Sequence, residues 1–171
     1  MTRHRHCHRP GTYTHWDELL ASPTEPMPLD KRDHQLGQMK KAIAAMEQGA
    51  HPTVNDWRML SDAVNLLETL VRCGPWKDCE GDLVDFPDAS GLLSDAIGAM
   101  DRAATRLLGG KSVWLDGPGL RAVRAVLEDY SAALEALPAR EVVRCHRLAE
   151  KKLRQAMQGI PSAGGVRVVA I

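Results

Sequence analysis

Aromatic side chains are scarce in this chain: one Phe, two Tyr and four Trp make up 4% of its 171 residues. Any core must therefore be built mainly from Leu, Val, Ile, Met and Ala. No stretch approaches the roughly 20 uninterrupted apolar residues of a membrane helix, so no membrane span is expected. Cys7, Cys73, Cys79 and Cys145 are widely scattered, without the spacing of a disulfide framework or a zinc module. The first ten residues, MTRHRHCHRP, are not followed by the apolar run of a secretory signal. A cytoplasmic protein with reduced thiols is the expectation. Catalytic signatures are missing too. There is no glycine-rich phosphate loop after a strand, no HExxH, no nucleophile elbow and no pair of carboxylates that spacing places in one pocket. The chain is accordingly read as non-enzymatic, with no catalytic, cofactor-binding or metal-binding residue and no cofactor.

What remains is an ordinary globular composition, 44% hydrophobic and 26% charged, in a chain of a length that suits one core. The periodicity is helical. His15 to Ala21 has room for two turns before SPTEPMP, where three prolines in six residues leave a linker or an extended strap. Asp30 is placed to cap a helix with Leu36, Met39, Ile43 and Met46 on one face, ending at Gly49. Thr53 opens the next, with Asp56 three places on and a stripe of Trp57, Leu60, Val64, Leu67 and Val71, until Gly74-Pro75. Asp88 or Ser90 caps a helix through Leu93, Ala96, Ile97, Met100, Ala104 and Leu107, stopped by Gly109-Gly110. After KSVWL, which reads as extended, Asp116 caps a helix with Pro118 in its first turn. There Leu120, Val123, Leu127, Tyr130, Leu134 and Leu137 step by three and four residues as a bundle seam does. Because this seam is the longest, its helix is expected at the centre. A last helix runs from about Ala139 to Gln158, and a short strand is expected at Val166 to Ile171. The fold class is thus all-α: an up-and-down, single-domain bundle of about five main helices. The domain organisation is a basic His/Arg-rich arm over 1–14, a bundle over 15–158 and a flexible tail over 159–171.

Net charge is zero, but it is unevenly spread. Residues 1–9 hold three Arg and no acid, residues 139–158 hold six bases against two Glu, and residues 10–138 hold twelve bases against twenty acids. In the last helix Arg140, Arg144, Arg147, Lys151 and Arg154 recur at four, three, four and three residues and share one face, opposite Val142, Cys145, Ala149, Leu153 and Ala156. Such a ridge suits an acidic protein groove, a nucleic-acid backbone or an anionic surface, and equally a solvated face without a partner. Arg3, Arg5 and Arg9 make the arm a second candidate basic surface. His4, His6, Cys7 and His8 are dense enough to attract Zn²⁺ or Cu²⁺, yet adjacent ligands rarely wrap one ion, so a basic arm is preferred. Cys73 and Cys79 in CGPWKDC are separated by five residues and lie outside any βαβ pattern, so redox catalysis is not expected and two ordinary thiols are preferred to a zinc site completed by His15, His51 or the tail. The carboxylates Asp78, Glu80, Asp82, Asp85 and Asp88 cluster without the glycine and glutamate positions of a calcium loop, so they read as a solvated acidic loop, with the basic helix as a candidate neighbour. His146 flanks the apolar side of that helix and reads as a core histidine.

The Arg-Pro start, the segment DWRMLSDAVNLLETL and the run GGKSVWLDGPGLRAVRAVLEDYSAAL together resemble a loose group of small phage- and prophage-encoded accessory proteins of unknown function. The resemblance covers roughly residues 1–137 and carries over no binding residue. It implies a phage accessory or host-directed role in the host cytosol. The leading expectation is therefore a non-enzymatic protein that binds a host or phage protein with an acidic surface. The alternative is a nucleic-acid-binding accessory protein using the arm and the last helix.

Overall fold

A computed structural model of the chain describes residues 24–47 and 51–158. The expected arm, the helix over His15–Ala21, the tail and its strand lie outside the described residues. Within them the fold is an all-α bundle of five helices: α1 (Leu29–Glu47), α2 (Val54–Cys73), α3 (Leu93–Leu108), α4 (Gly117–Ala136) and α5 (Ala139–Met157). None of these helices is long and apolar enough to cross a membrane.

The helix starts follow local chemistry. At α2 the capping box is complete: Asp56 N donates to Thr53 Oγ1 at 3.2 Å, and Thr53 N donates to Asp56 Oδ2 at 2.8 Å. At α4, Gly119 N donates to Asp116 Oδ1 at 2.8 Å, with Pro118 in the first turn. Both expected acceptors serve the start of α3, Asp88 taking Leu93 N and Ser90 Oγ taking Leu92 N, each at 3.3 Å. Only α1 differs. It begins at Leu29, directly after Pro28, so Asp30 stands in the first turn and not at the cap. The proline-rich segment is a strap: Pro26 bridges Pro138, and Ala139 N donates to Glu25 O at 2.8 Å, which ties residues before α1 to the α4–α5 corner.

The central helix is α2, not α4 as the seam suggested. It packs against all four other helices. Besides Trp57, Leu60, Val64 and Leu67, it buries Ala63, Leu66, Leu70 and the polar Ser61, Asn65, Glu68 and Thr69. Burial on several faces is what a surrounded helix shows. Thr69 answers part of its polar cost by donating to Asn65 O at 2.8 Å. Across the core, Trp57 Nε1 donates to Met100 O at 3.1 Å and fastens α2 to α3. The seam of α4 is also rotated from the expected one. Gly119, Ala122, Val123, Val126, Tyr130, Ala133 and Leu134 are buried, while Leu120 and Leu127 are only partly so. Close approach of α3 sets that rotation, because a Cβ on Gly119 would lie 2.8 Å from Ala99 Cβ.

Two further differences concern the loops. KSVWL forms no strand; its Val113 and Leu115 are buried in the core while Trp114 stays 46% exposed. A two-stranded antiparallel hairpin lies instead between α2 and α3, β1 (Trp76–Lys77) pairing with β2 (Leu83–Val84). Its buried Trp76 donates Nε1 to Leu70 O at 2.8 Å, folding the hairpin back on the end of α2. Consecutive helices α1 to α4 are neighbours, whereas α5 departs from simple up-and-down succession and packs chiefly on α2.

Candidate functional site

Because α5 packs chiefly on α2, one long side of it faces outward. Its apolar stripe is covered unevenly. Val142 and Cys145 are buried, Ala149 and Leu153 half-buried, and Ala156 exposed. In the last turn Met157 is 71% exposed. The helix is thus anchored by its first half, and its second half rises from the bundle.

The five bases expected as a ridge divide the same way. Arg140 is half-buried, with Nε 3.8 Å from Glu141 Oε1. Arg144 Nη1 lies 3.1 Å from Glu141 Oε2, and its guanidinium stands 5.3 Å from the centre of the Trp76 ring. Glu141 is only 5% exposed. A buried carboxylate and an aromatic face therefore hold Arg144 in place, a geometry that loses little freedom on binding. Arg147 is half-buried, while Lys151 and Arg154 are exposed, and Arg154 Nη2 sits 3.0 Å from Glu150 Oε2. The other arginines expected to contribute, Arg3, Arg5 and Arg9, lie outside the described residues.

The acidic loop uses its charge locally. Asp78 Oδ1 accepts from Glu80 N at 3.0 Å and from Asp82 N at 2.8 Å, and Asp88 serves α3. The hairpin does meet the basic helix, but through the ring of Trp76. Among the described residues no three His, Cys, Asp or Glu side chains converge as a metal set.

A cleft of about 110 Å³ lies between α2 and α5, lined by Asp62, Asn65, Leu66, His146, Ala149, Glu150 and Leu153. It has room for a few water molecules. Burial raises the pKa of Asp62 and the Glu150 carboxylate adds to the rise, with Arg58 opposing. Burial lowers that of His146 against the pull of Glu150, so the imidazole is neutral in neutral solution. Asp62, His146 and Glu150 give the cleft groups that can exchange protons, and no Ser, Thr, Cys or Lys lines it. His146 was expected as a core residue and instead lines this wall. Asp62 was not anticipated; the available signal was the polar series Ser61, Asp62, Asn65, Glu68 and Thr69 inside an otherwise apolar helix.

At the far end of α3, Arg106 places its guanidinium 4.6 Å from the centre of the Trp114 ring and donates Nη2 to the Trp114 carbonyl. Trp114 is thereby fixed against Arg106, and Leu108 in the last turn of α3 is 74% exposed. Compared with known proteins, the chain matches no family model, no curated protein and no solved structure.

Proposed function

We propose that this is a non-catalytic accessory protein, of the phage-encoded kind, that acts in the host cytosol by binding an acidic surface of a host or phage protein through the outer face of α5. The observation that carries the reading is the build of that face. Arg144 is held between Glu141 and Trp76, Lys151 and Arg154 project from the second half of the helix, and Met157, three residues on from Arg154, is exposed beside it. A charged rim next to an apolar contact is the common anatomy of a protein interface.

A protein partner is favoured over nucleic acid by the acids within the face. Glu150 pairs with Arg154 and is itself 62% exposed at the side chain. A polyphosphate backbone laid along the helix would meet that carboxylate as well as the bases, whereas a protein surface can offer both signs in register. The test is capture of partners by the tagged full-length protein from host lysate with and without nuclease. A stoichiometric protein retained after nuclease treatment supports the reading. Capture that disappears with nuclease, together with a salt-dependent shift of nonspecific DNA or RNA, replaces it with the nucleic-acid alternative.

A further inference from the structure

We propose that Cys73 and Lys152 form an oxidative modification site, at which peroxide joins the Cys73 sulfur and the Lys152 nitrogen through a single oxygen and so crosslinks the end of α2 to α5. Lys152 Nζ stands 2.7 Å from Cys73 Sγ, and both residues are half-buried. At that separation the amine nitrogen and the sulfur are in direct contact. The distance is too long for a nitrogen–sulfur bond and close to the span of one bridging oxygen. Lys152 also stands apart from the Arg140–Arg154 ridge, reaching a sulfur where its neighbours Arg144 and Arg154 reach carboxylates.

The other nearby thiol is engaged elsewhere. Cys145 is buried and donates its Sγ hydrogen to Leu66 O at 3.4 Å. Burial pushes its pKa well up, and the Cys73 sulfur adds to the rise, so Cys145 stays a thiol and a poor competitor for an oxidised Cys73. Cys79 is exposed on the hairpin loop and provides an ordinary surface thiol for comparison.

The chemistry balances with two equivalents of peroxide. Cys73 attacks one peroxide oxygen, the O–O bond breaks, and sulfenic acid and water result. Lys152, having released its ammonium proton to solvent, takes an oxygen from the second peroxide in the same way, giving a hydroxylamine and water. The hydroxylamine oxygen then attacks the sulfenic sulfur, the S–OH bond breaks, and a third water leaves. Sulfur and nitrogen each lose two electrons and the two peroxides gain four. A reducing thiol reopens the link.

The experiment treats the reduced full-length protein with hydrogen peroxide, alkylates it, digests it and maps the peptides by mass spectrometry. The expected product joins the Cys73 and Lys152 peptides with the mass of both plus one oxygen less two hydrogens. It reverts with dithiothreitol, persists in Cys145→Ala and is lost in Lys152→Arg, whose melting temperature reports retained folding. The proposal is overturned if Cys73 ends mainly as a sulfinic or sulfonic acid or in a disulfide while the Lys152 peptide stays unmodified. A direct sulfur–nitrogen link lacking the oxygen, or a link that survives Lys152→Arg, overturns it equally.

Discussion

Truncation of Leu60 is the sharpest probe of the packing. Leu60 is fully buried in α2, the helix that touches every other, whereas Leu127 on α4 is only partly buried. Leu127 borders a groove of about 360 Å³ together with Leu36, Met39 and Ile43 of α1. Leu60→Ala removes methyl groups from a closed site that surrounding helices hold open, so transfer and cavity costs add, and about 2–5 kcal/mol is expected. Leu127→Ala enlarges a groove that is already open, so only part of the transfer cost applies, about 0.5–1.5 kcal/mol. Against a total stability of about 5–15 kcal/mol the first loss is large. About 3 kcal/mol corresponds to a fall of roughly 6–12 °C in Tm for a chain of this size. Urea unfolding followed by circular dichroism, with a common slope for the two variants, measures the difference. A Leu127→Ala cost equal to or above that of Leu60→Ala would refute α2 as the centre and restore the uninterrupted α4 seam to that place.

Gly119→Ala should destabilise by about 1–3 kcal/mol, because its Cβ would fall 2.8 Å from Ala99 Cβ and 2.7 Å from Asp116 Oδ1; chemical denaturation checks it, and an unchanged midpoint contradicts the close α3–α4 contact. Asp62→Asn should raise Tm at neutral pH. The folded-state pKa of Asp62 lies above 3.8, so its ionisation costs stability that builds up as pH rises from 3.8 through the raised value, and the gain should vanish below about pH 4, where both states bind the proton. His146 contributes in the opposite sense to acid: its folded pKa lies below 6.5, so stability held by the neutral ring above 6.5 is lost as pH falls from there toward the depressed value. His146→Gln should flatten that part of a Tm-against-pH curve, and an unaltered slope would place the acid sensitivity elsewhere.

Much of the helical layout was legible because it rests on local chemistry. Thr53 with Asp56, and Asp116 with Gly119 N beside Pro118, announce helix starts through hydrogen bonds that span only three residues, and the Gly74-Pro75 and Gly109-Gly110 stops are equally local. Centrality is not local. The polar Asn65, Glu68 and Thr69 look like a solvent face in sequence, yet they are buried, so a one-sided stripe understates how much of α2 is covered. The buried seam of α4 lies a fraction of a turn from its apolar stripe because Gly119, which lets α3 approach, carries no hydrophobic signal. In the candidate site the repeat of Arg140, Arg144, Arg147, Lys151 and Arg154 was visible from helical spacing. Its division into a clamped half and a projecting half was not, since that depends on Trp76 arriving from a hairpin of two-residue strands too short to show alternation. Cys73 and Lys152 are 79 residues apart, and only the α2–α5 packing brings them together.

The most direct test of the proposed function is the double charge reversal Lys151→Glu with Arg154→Glu, assayed for retention of the nuclease-resistant partner at low and at physiological salt. Both side chains are exposed, and an exposed pair contributes only about 0–1 kcal/mol, so Tm should change little. Arg144 is left intact because a carboxylate there would face buried Glu141. The account predicts a folded variant that no longer holds the partner, and a wild-type complex that weakens as salt rises. A folded variant that retains the partner with unchanged affinity and salt dependence would contradict it.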